Sequence, residues 1–355
     1  MRAGGTMQFS AYSGGGSGGG SGGGSGGSSG RAASGRSPPA PSASVWAGAP
    51  SLDLPDHPRM IAVPDVHGDL QKARQCLMAA GVIDSGDRWT GGTALVVQVG
   101  DQVDAKPRGG GRERVREREE AHRRDGGCDD ALRADLEVLY FFDDLRRKAA
   151  AAGGDVACLL GNHELMNAGG DLSYADVCPR CAPRRLEVFR RGGPLARSLA
   201  DTRRAVLRTG GVLFAHAGVL QRHVPYLRDL NILAHEFLSK PPPPDGQGGD
   251  LVAGAMPLLL GADGLLTNRG YSPSQGGPRV TRAELEDVLR SQRCNAMIVG
   301  HNAHDEGVSS HLGGRLWVVD PGMSAAIMDG PARCLEMVAG ADGYMRFIRH
   351  TYTGS

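Results

Sequence analysis

The chain has 355 residues, 40 Lys and Arg against 39 Asp and Glu, a formal net charge of +1, and seven mostly scattered cysteines. That length holds one large domain or two modest ones; the near-zero charge gives no general pull toward nucleic acid or lipid; and so few cysteines do not make a disulfide scaffold. No apolar stretch reaches bilayer length and the N-terminus has no apolar signal-peptide core, so a soluble protein is expected.

Up to Leu52 there is no Asp or Glu, and only three arginines (Arg2, Arg31, Arg36) accompany the tract GGGSGGGSGGGSGGSSG from Gly14 to Gly30. This composition cannot bury apolar surface, which predicts a disordered leader over residues 1–55. An acid-free, Ser-rich, Arg-bearing leader also matches an organellar transit peptide. A chloroplast is therefore the expected compartment, with cytoplasm and mitochondrion as alternatives. A natural low-complexity tail or a linker fits the Gly/Ser tract equally well.

From Met60 onward the pattern is globular. Strands are predicted at Met60–Val63, Ala94–Val99, Asp155–Leu160, Gly211–Ala215, Asn295–Val299 and Leu316–Val319. Helices are predicted between them, at Leu70–Ala80, at Ala131–Ala152 on the spacing of Leu132, Leu136, Leu139 and Leu145, and at Thr281–Arg293, opened by a Thr281/Glu284 capping box. The alternation predicts an α/β domain with ligands at strand ends. Two segments interrupt it: the charged KPRGGGRERVREREEAHRRDGG (Lys106–Gly127), read as a solvated insertion, and the loop KPPPPDGQGGD (Lys240–Asp250). Cys178 and Cys181 form half of a zinc site, a redox pair, or two plain loop thiols.

The chemistry collects just past the strands. PDVHGD brings Asp65, His67 and Asp69; GDQVD brings Asp101 and Asp104; GNHE brings Asn162, His163 and Glu164; then come His216-Ala217-Gly218 and Gly300-His301-Asn302. Carboxylate, imidazole and amide oxygen suit Mn, Fe or Zn, and one bridging carboxylate holds two such ions about 3.5–4 Å apart. Without cysteine, the set keeps positions open for water and a phosphoryl group. Alone, His216 or His301 reads as a strand-end histidine bonded to backbone. Five pieces in order, each after a predicted strand, do not arise that way.

The order Asp-x-His-Gly, Gly-Asp-x-x-Asp, Gly-Asn-His-Glu, His-Ala-Gly and Gly-His resembles the calcineurin-like metallophosphoesterases and, among them, the phosphoprotein phosphatase family. AVPDVHGDLQKA, VQVGDQVD, GNHELMNAGGDLSY, NRGYS and VVDPGMS are similar to its bacterial-type branch, the Shewanella-like protein phosphatases. The resemblance runs from Met60 to the C-terminus. It implies a β-sandwich of two mixed sheets flanked by helices, a catalytic domain over residues 56–355 with inserts at 106–128 and 240–256, and two divalent metal ions (Mn, Fe or Zn).

Carried over, the first metal falls to Asp65 and His67, the bridge to Asp101, and the second metal to Asn162, His216 and His301. A hydroxide between the ions would be the nucleophile, His163 the proton donor to the leaving alkoxide and Asp104 its partner. Glu164 would support neighbouring ligands or cap the following turn, and Arg269 would bind phosphate. The family's Arg-Gly after Asp104 is here Ala105-Lys106-Pro107. Lys106 offers phosphate a point charge in place of a bidentate fork, or Arg108 or Arg112 takes over, and weaker phosphate binding is expected.

The implied activity is hydrolysis of phosphoserine and phosphothreonine in proteins or phosphopeptides, with no nucleic-acid or membrane partner; phosphotyrosine stays open, because pocket depth is invisible in sequence. The competing readings are a dinucleoside-polyphosphate or phosphodiester hydrolase and a non-catalytic module that binds phospho-ligands. Eight arginines between Arg184 and Arg208 read either as a basic rim at the active-site mouth or as solvated helix faces.

Overall fold

Short, mostly continuous apolar runs form the central strands of two mixed sheets. In the first, β1 (Arg59–Val63), β2 (Leu95–Gln98), β3 (Asp155–Leu159) and β4 (Arg203–Arg204) run parallel. The antiparallel β10 (Arg333–Ala339) and β11 (Met345–Thr351) extend that sheet beyond β1, for the order β11-β10-β1-β2-β3-β4. The second sheet has the order β5-β6-β7-β9-β8, from Val206–Thr209, Val212–Ala215, Ala296–Val299, Leu316–Val318 and Ser309–His311. Its centre, β6-β7-β9, is parallel. The structure is a computed structural model and describes residues 49–104, 128–244, 251–273, 277–340 and 344–354. The leader up to residue 48, the charged insertion with Ala105 and Lys106, and residues 245–250 of the proline loop lie outside the described residues.

Alternation along each strand assigns the layers. Met60 and Ala62 of β1 join Leu95, Val97, Phe214, Ile298 and Trp317 in a core between the sheets. Their neighbours Ile61 and Val63 face the other way, into a core with Ala73 and Leu77 of α1 (Leu70–Ala79) and Val138, Phe142 and Leu145 of α2 (Cys128–Ala151). The second sheet does the same: Leu213, Met297 and Val318 pack against Leu227, Leu230, Leu285 and Val288 from α6 (Leu227–Ser239) and α9 (Arg282–Ser291). The result is a helix–sheet–sheet–helix sandwich. Because the central strands of each sheet are parallel, Val63, Gln98, Leu159, Ala215, Val299 and Val318 all end at sheet edges where loops can converge.

Local chemistry sets the helix boundaries. Asp69 caps α1 by accepting the Lys72 N–H at 3.1 Å. Thr281 is the cap of α9, joined to Glu284 in a capping box, so the helix expected over Thr281–Arg293 begins one residue later and stops at Ser291, before Arg293 turns to φ +54°. Between α2 and α6 lie α3 (Asn162–Ala168), α4 (Ala182–Phe189) and α5 (Pro194–Thr202); α7 (Leu251–Ala255) and α8 (Pro257–Leu260) precede α9. Among the described residues no helix is long and apolar enough to cross a membrane.

The arginine-rich stretch departs from its sequence readings at three positions, while Arg184, Arg190 and Arg197 are exposed. Arg185, Arg203 and Arg204 are buried, so they form neither a rim nor a solvated face. Arg203 donates to Asp143, to the Leu139 carbonyl and to Gln102, and Arg185 enters the site described below.

Phe214, wholly buried between the sheets, is the test of this layering. Phe214→Ala should cost about 3–5 kcal/mol of unfolding free energy, read as a lowered urea midpoint. Tyr140→Ala, at a side chain 59% exposed, should stay within about 0.5 kcal/mol of wild type.

Candidate metal centre and active site

Four of the five loops that carry the sequence constellation reach one pocket, lined by His67, Asp101, Asn162, His163, Tyr174, Arg269, His301 and Asp320, and His216 of the fifth lies 3.2 Å from Asp101 Oδ2. Four of its key residues hold a left-handed backbone without being glycine: His67 (φ +47°), Asp101 (+50°), Asp104 (+74°) and His301 (+65°). Each such conformation costs on the order of 1 kcal/mol and survives only where the surroundings impose it, which is characteristic of functional loops. Glycine is needed where these loops touch: a Cβ at Gly161 would collide with Asp101 Oδ1, and one at Gly300 with Asp65 Oδ1.

One carboxylate ties two of the loops together. Glu164, fully buried, accepts the Gly161 N–H (2.7 Å) and Asp101 N–H (3.2 Å) at one oxygen, and the Gln102 N–H (2.7 Å) and Val103 N–H (3.3 Å) at the other. It caps the start of its own helix, α3, where a cap for the following turn was expected, and shapes the loop after β2. The His163 N–H, at the start of the same helix, donates to Asp101 Oδ1 at 3.1 Å.

Among the described residues two groups of possible ligand atoms result, each within 4.8 Å: His67, Asp101 and His163; and Asp101, His216 and His301. Asp101 belongs to both, the position of a bridge. Backbone carbonyls orient the imidazoles. His67 Nδ1 meets Val103 O at 3.2 Å and His216 Nδ1 meets Val99 O at 2.9 Å, so with Nδ1 donating, each Nε2 faces the site with a lone pair. His301 Nε2 meets Thr267 O at 3.2 Å, which leaves Nδ1 for the site. His216 Nε2 lies 3.2 Å from both Asp101 Oδ2 and Asn162 Oδ1.

Asp65 falls in neither group. Its Oδ2 accepts the His301 N–H at 2.9 Å, while its Oδ1 is buried without a hydrogen-bond partner. His163 joins the first group by distance, but its Nδ1 is committed to Asp104 Oδ2 at 2.8 Å.

The electrostatics calls for cations. Burial, then the neighbouring Asp320 and Asp101, pushes the Asp65 carboxyl well above the ordinary carboxylate range. Burial also raises Asp320 and, with Asp101 beside it, Glu164. Burial works the same way on Asp101, but His163, His216 and His67 outweigh it and hold that carboxyl well below its usual value. An orphaned buried oxygen, several buried carboxylates and imidazoles presenting one nitrogen each form a donor set that fits divalent metal ions.

These features define the chain's class. Residues 58–305 match the calcineurin-like phosphoesterase family, and the chain belongs to it. It is similar to "Shewanella-like protein phosphatase 2" of Arabidopsis thaliana, 29% identical over 327 residues that cover 79% of this chain and 75% of that one. "Shewanella-like protein phosphatase 1" of Plasmodium berghei is 22% identical over 284 residues, 75% of this chain and 67% of the other. Among solved structures, the cold-active protein-tyrosine phosphatase of a psychrophilic Shewanella shares the fold, with a TM-score of 0.59 at 24% identity over 86% of this chain and 83% of that one.

Of the residues expected from sequence, Asp65, His67, Asp101, Asp104, Asn162, His163, His216, Arg269 and His301 come together at this edge; Lys106 is outside the described residues. Arg269 Nη1 donates to His301 O (2.9 Å) and Asn302 Oδ1 (2.8 Å), which seats its side chain on the pocket wall. Sequence reasoning missed Asp320 and Tyr174. Asp320 stands at the end of the predicted Leu316–Val319 strand, so the strand-end rule that found its neighbours would have found it too. Tyr174 is 43% exposed, with its ring 5.1 Å from that of His163, and no periodicity marks it. The backbone turn of Cys178 and Cys181 opens α4 and contributes to neither ligand group.

Two outcomes follow. Stripping divalent metal should lower the melting temperature and re-addition of Mn²⁺ should restore it, by about 2.7 kcal/mol at a hundredfold excess over Kd. Glu164→Gln, which sets an amide NH₂ against backbone N–H groups, should weaken metal binding by about 10- to 100-fold in isothermal titration.

Proposed function

We propose that the chain is a metal-dependent protein phosphatase that hydrolyses phosphoserine and phosphothreonine monoesters, with His163 as proton donor. The observation that carries this reading is one arrangement: a carboxylate shared by two ligand groups, with an Asp104-bonded imidazole beside it, His163 Nε2 lying 3.7 Å from Asp101 Oδ2. Asp65, His67 and Asp101 would hold one ion, and Asp101, Asn162, His216 and His301 the other. Two divalent cations, when bound, supply the charge that ionises a water near neutral pH and offsets the phosphoryl oxygens. A ligand set of nitrogen and oxygen donors suits Mn, Fe or Zn.

The protein's own groups do the rest. Arg269 orients the phosphoryl group, with Lys106 as the proposed second cation on the far side of the departure at Ala105. His163 Nδ1–H donates to Asp104, which holds the ring in place; Nε2 then faces the reacting centre as the acid. Serine and threonine alkoxides need that proton, because they leave poorly as anions. Similarity to the Arabidopsis phosphatase over most of both chains supports a phosphoprotein substrate.

Phosphate release from a phosphothreonine peptide tests this reading, using metal-stripped protein reloaded with Mn²⁺. Release should require the metal and vanish in Asp65→Asn, while His163→Asn should lower kcat by about 10²- to 10⁴-fold. Diadenosine tetraphosphate should survive; its hydrolysis in place of the peptide would transfer the site to the dinucleoside-polyphosphate class. Metal binding with no release from any phosphoester would make the chain a binding module.

A further inference from the structure

We propose that Arg185 is a positioning residue for the proton donor, locking the Asp104 carboxylate so that one of its oxygens is committed to His163. The proposal rests on the reading of His163 as the acid and adds to it a residue on a separate element.

The geometry converges on Asp104. Its Oδ2 accepts from His163 Nδ1 (2.8 Å) and from Asn167 Nδ2 (2.9 Å), and its Oδ1 accepts from Arg185 Nη2 (2.6 Å). The same Nη2 donates to Asp135 Oδ2 at 2.7 Å, and Arg185 Nε donates to Asn167 Oδ1 at 2.7 Å. Asp135 closes the ring by accepting the Asp104 backbone N–H on its Oδ1 at 3.0 Å, and Asn167 Nδ2 also donates to the His163 carbonyl at 2.9 Å. Four elements contribute: the loop after β2 with Asp104, α2 with Asp135, α3 with His163 and Asn167, and α4 with Arg185. The guanidinium lies over the Phe189 ring, 4.9 Å from its centroid.

A structural salt bridge is the plain alternative, and energy weighs against it. Arg185 is 1% exposed and Asp135 0%. Burying such ions costs several kcal/mol each, and an apolar side chain of the same size would join α4 to α2 more cheaply. Here the polar contacts lead to Asp104 or to groups bonded to it, and Asp104 holds φ +74°, a backbone that must be imposed from outside. Asp135 holds that turn by the main chain while Arg185 and Asn167 hold the side chain. A planar fork reaching acceptors on three elements is also something a lysine cannot reproduce.

The test exploits the leaving group. A serine or threonine alkoxide needs a proton on departure, whereas p-nitrophenolate leaves without one, so damage confined to the acid is selective for the peptide. With the full chain loaded with Mn²⁺, kcat and KM are measured for a phosphothreonine peptide and for p-nitrophenyl phosphate in wild type, His163→Asn and Arg185→Lys. The lysine variant keeps a buried positive charge and so protects folding.

His163→Asn should lose about 100-fold or more on the peptide and under about 10-fold on the aryl ester. Arg185→Lys should repeat that selectivity on a smaller scale, about 10-fold in kcat on the peptide and within about twofold on the aryl ester, with KM unchanged. Equal losses on both substrates, or none, in Arg185→Lys beside a selective His163→Asn would overturn the role of Arg185 and leave the proton donor standing. A non-selective His163→Asn would overturn the proton donor itself, and this inference with it.

Discussion

The carboxylate of Glu164 is the interaction on which the rest of this edge depends. By accepting backbone N–H groups from Gly161, Asp101, Gln102 and Val103, it fastens the loop after β2 to the start of α3. Those two segments carry Asp101, Asp104, Asn162 and His163, so one buried side chain sets the relative positions of the proposed bridge, a proposed ligand, the proposed proton donor and its partner. The N–H groups are donors that the sheet and the helix leave over, and in a dry interior they need an acceptor. Site formation and satisfaction of the backbone are the same event here.

Around that fastening the protein concentrates charge that its fold alone does not neutralise. Asp65, Asp320 and Glu164 are pushed up by burial, while Asp101 is held down by imidazoles. A single His–Asp pair would be content without ions; an orphaned Asp65 oxygen beside further acids is not. Strained loops at His67, Asp101, Asp104 and His301 add to the same cost. The compensating stability comes from the cores on either side of both sheets, which are apolar and continuous.

Buried arginines do for the helical layer what Glu164 does for the loops. Arg203 links β4 to α2 through Asp143 and the Leu139 carbonyl, and Arg185 links α4 to α2 and to the loop after β2. Both donate to several acceptors at once, which suits the rigid guanidinium fork.

The main strands were legible because their apolar runs are fully buried, and the candidate ligands were expected because they follow such runs, often beside a glycine. Less was visible at the sheet margins: β11 interleaves Arg346, Arg349 and His350 with its apolar residues, and β4 is a pair of arginines, so neither has an apolar run to read. Asp135 and Arg185 likewise look like ordinary polar positions on amphipathic helices. The sequence by itself determined the α/β order and the run of Asp, His and Asn residues just past the strands; the ligand assignments and the pairing of His163 with Asp104 were what the family resemblance implied. Only the tertiary structure decided that Asp65 keeps an unsatisfied oxygen and that Arg185 turns inward to Asp104. Local patterns report burial along one element, whereas those contacts join residues from different elements, and nothing in the spacing of either partner encodes where the other will be.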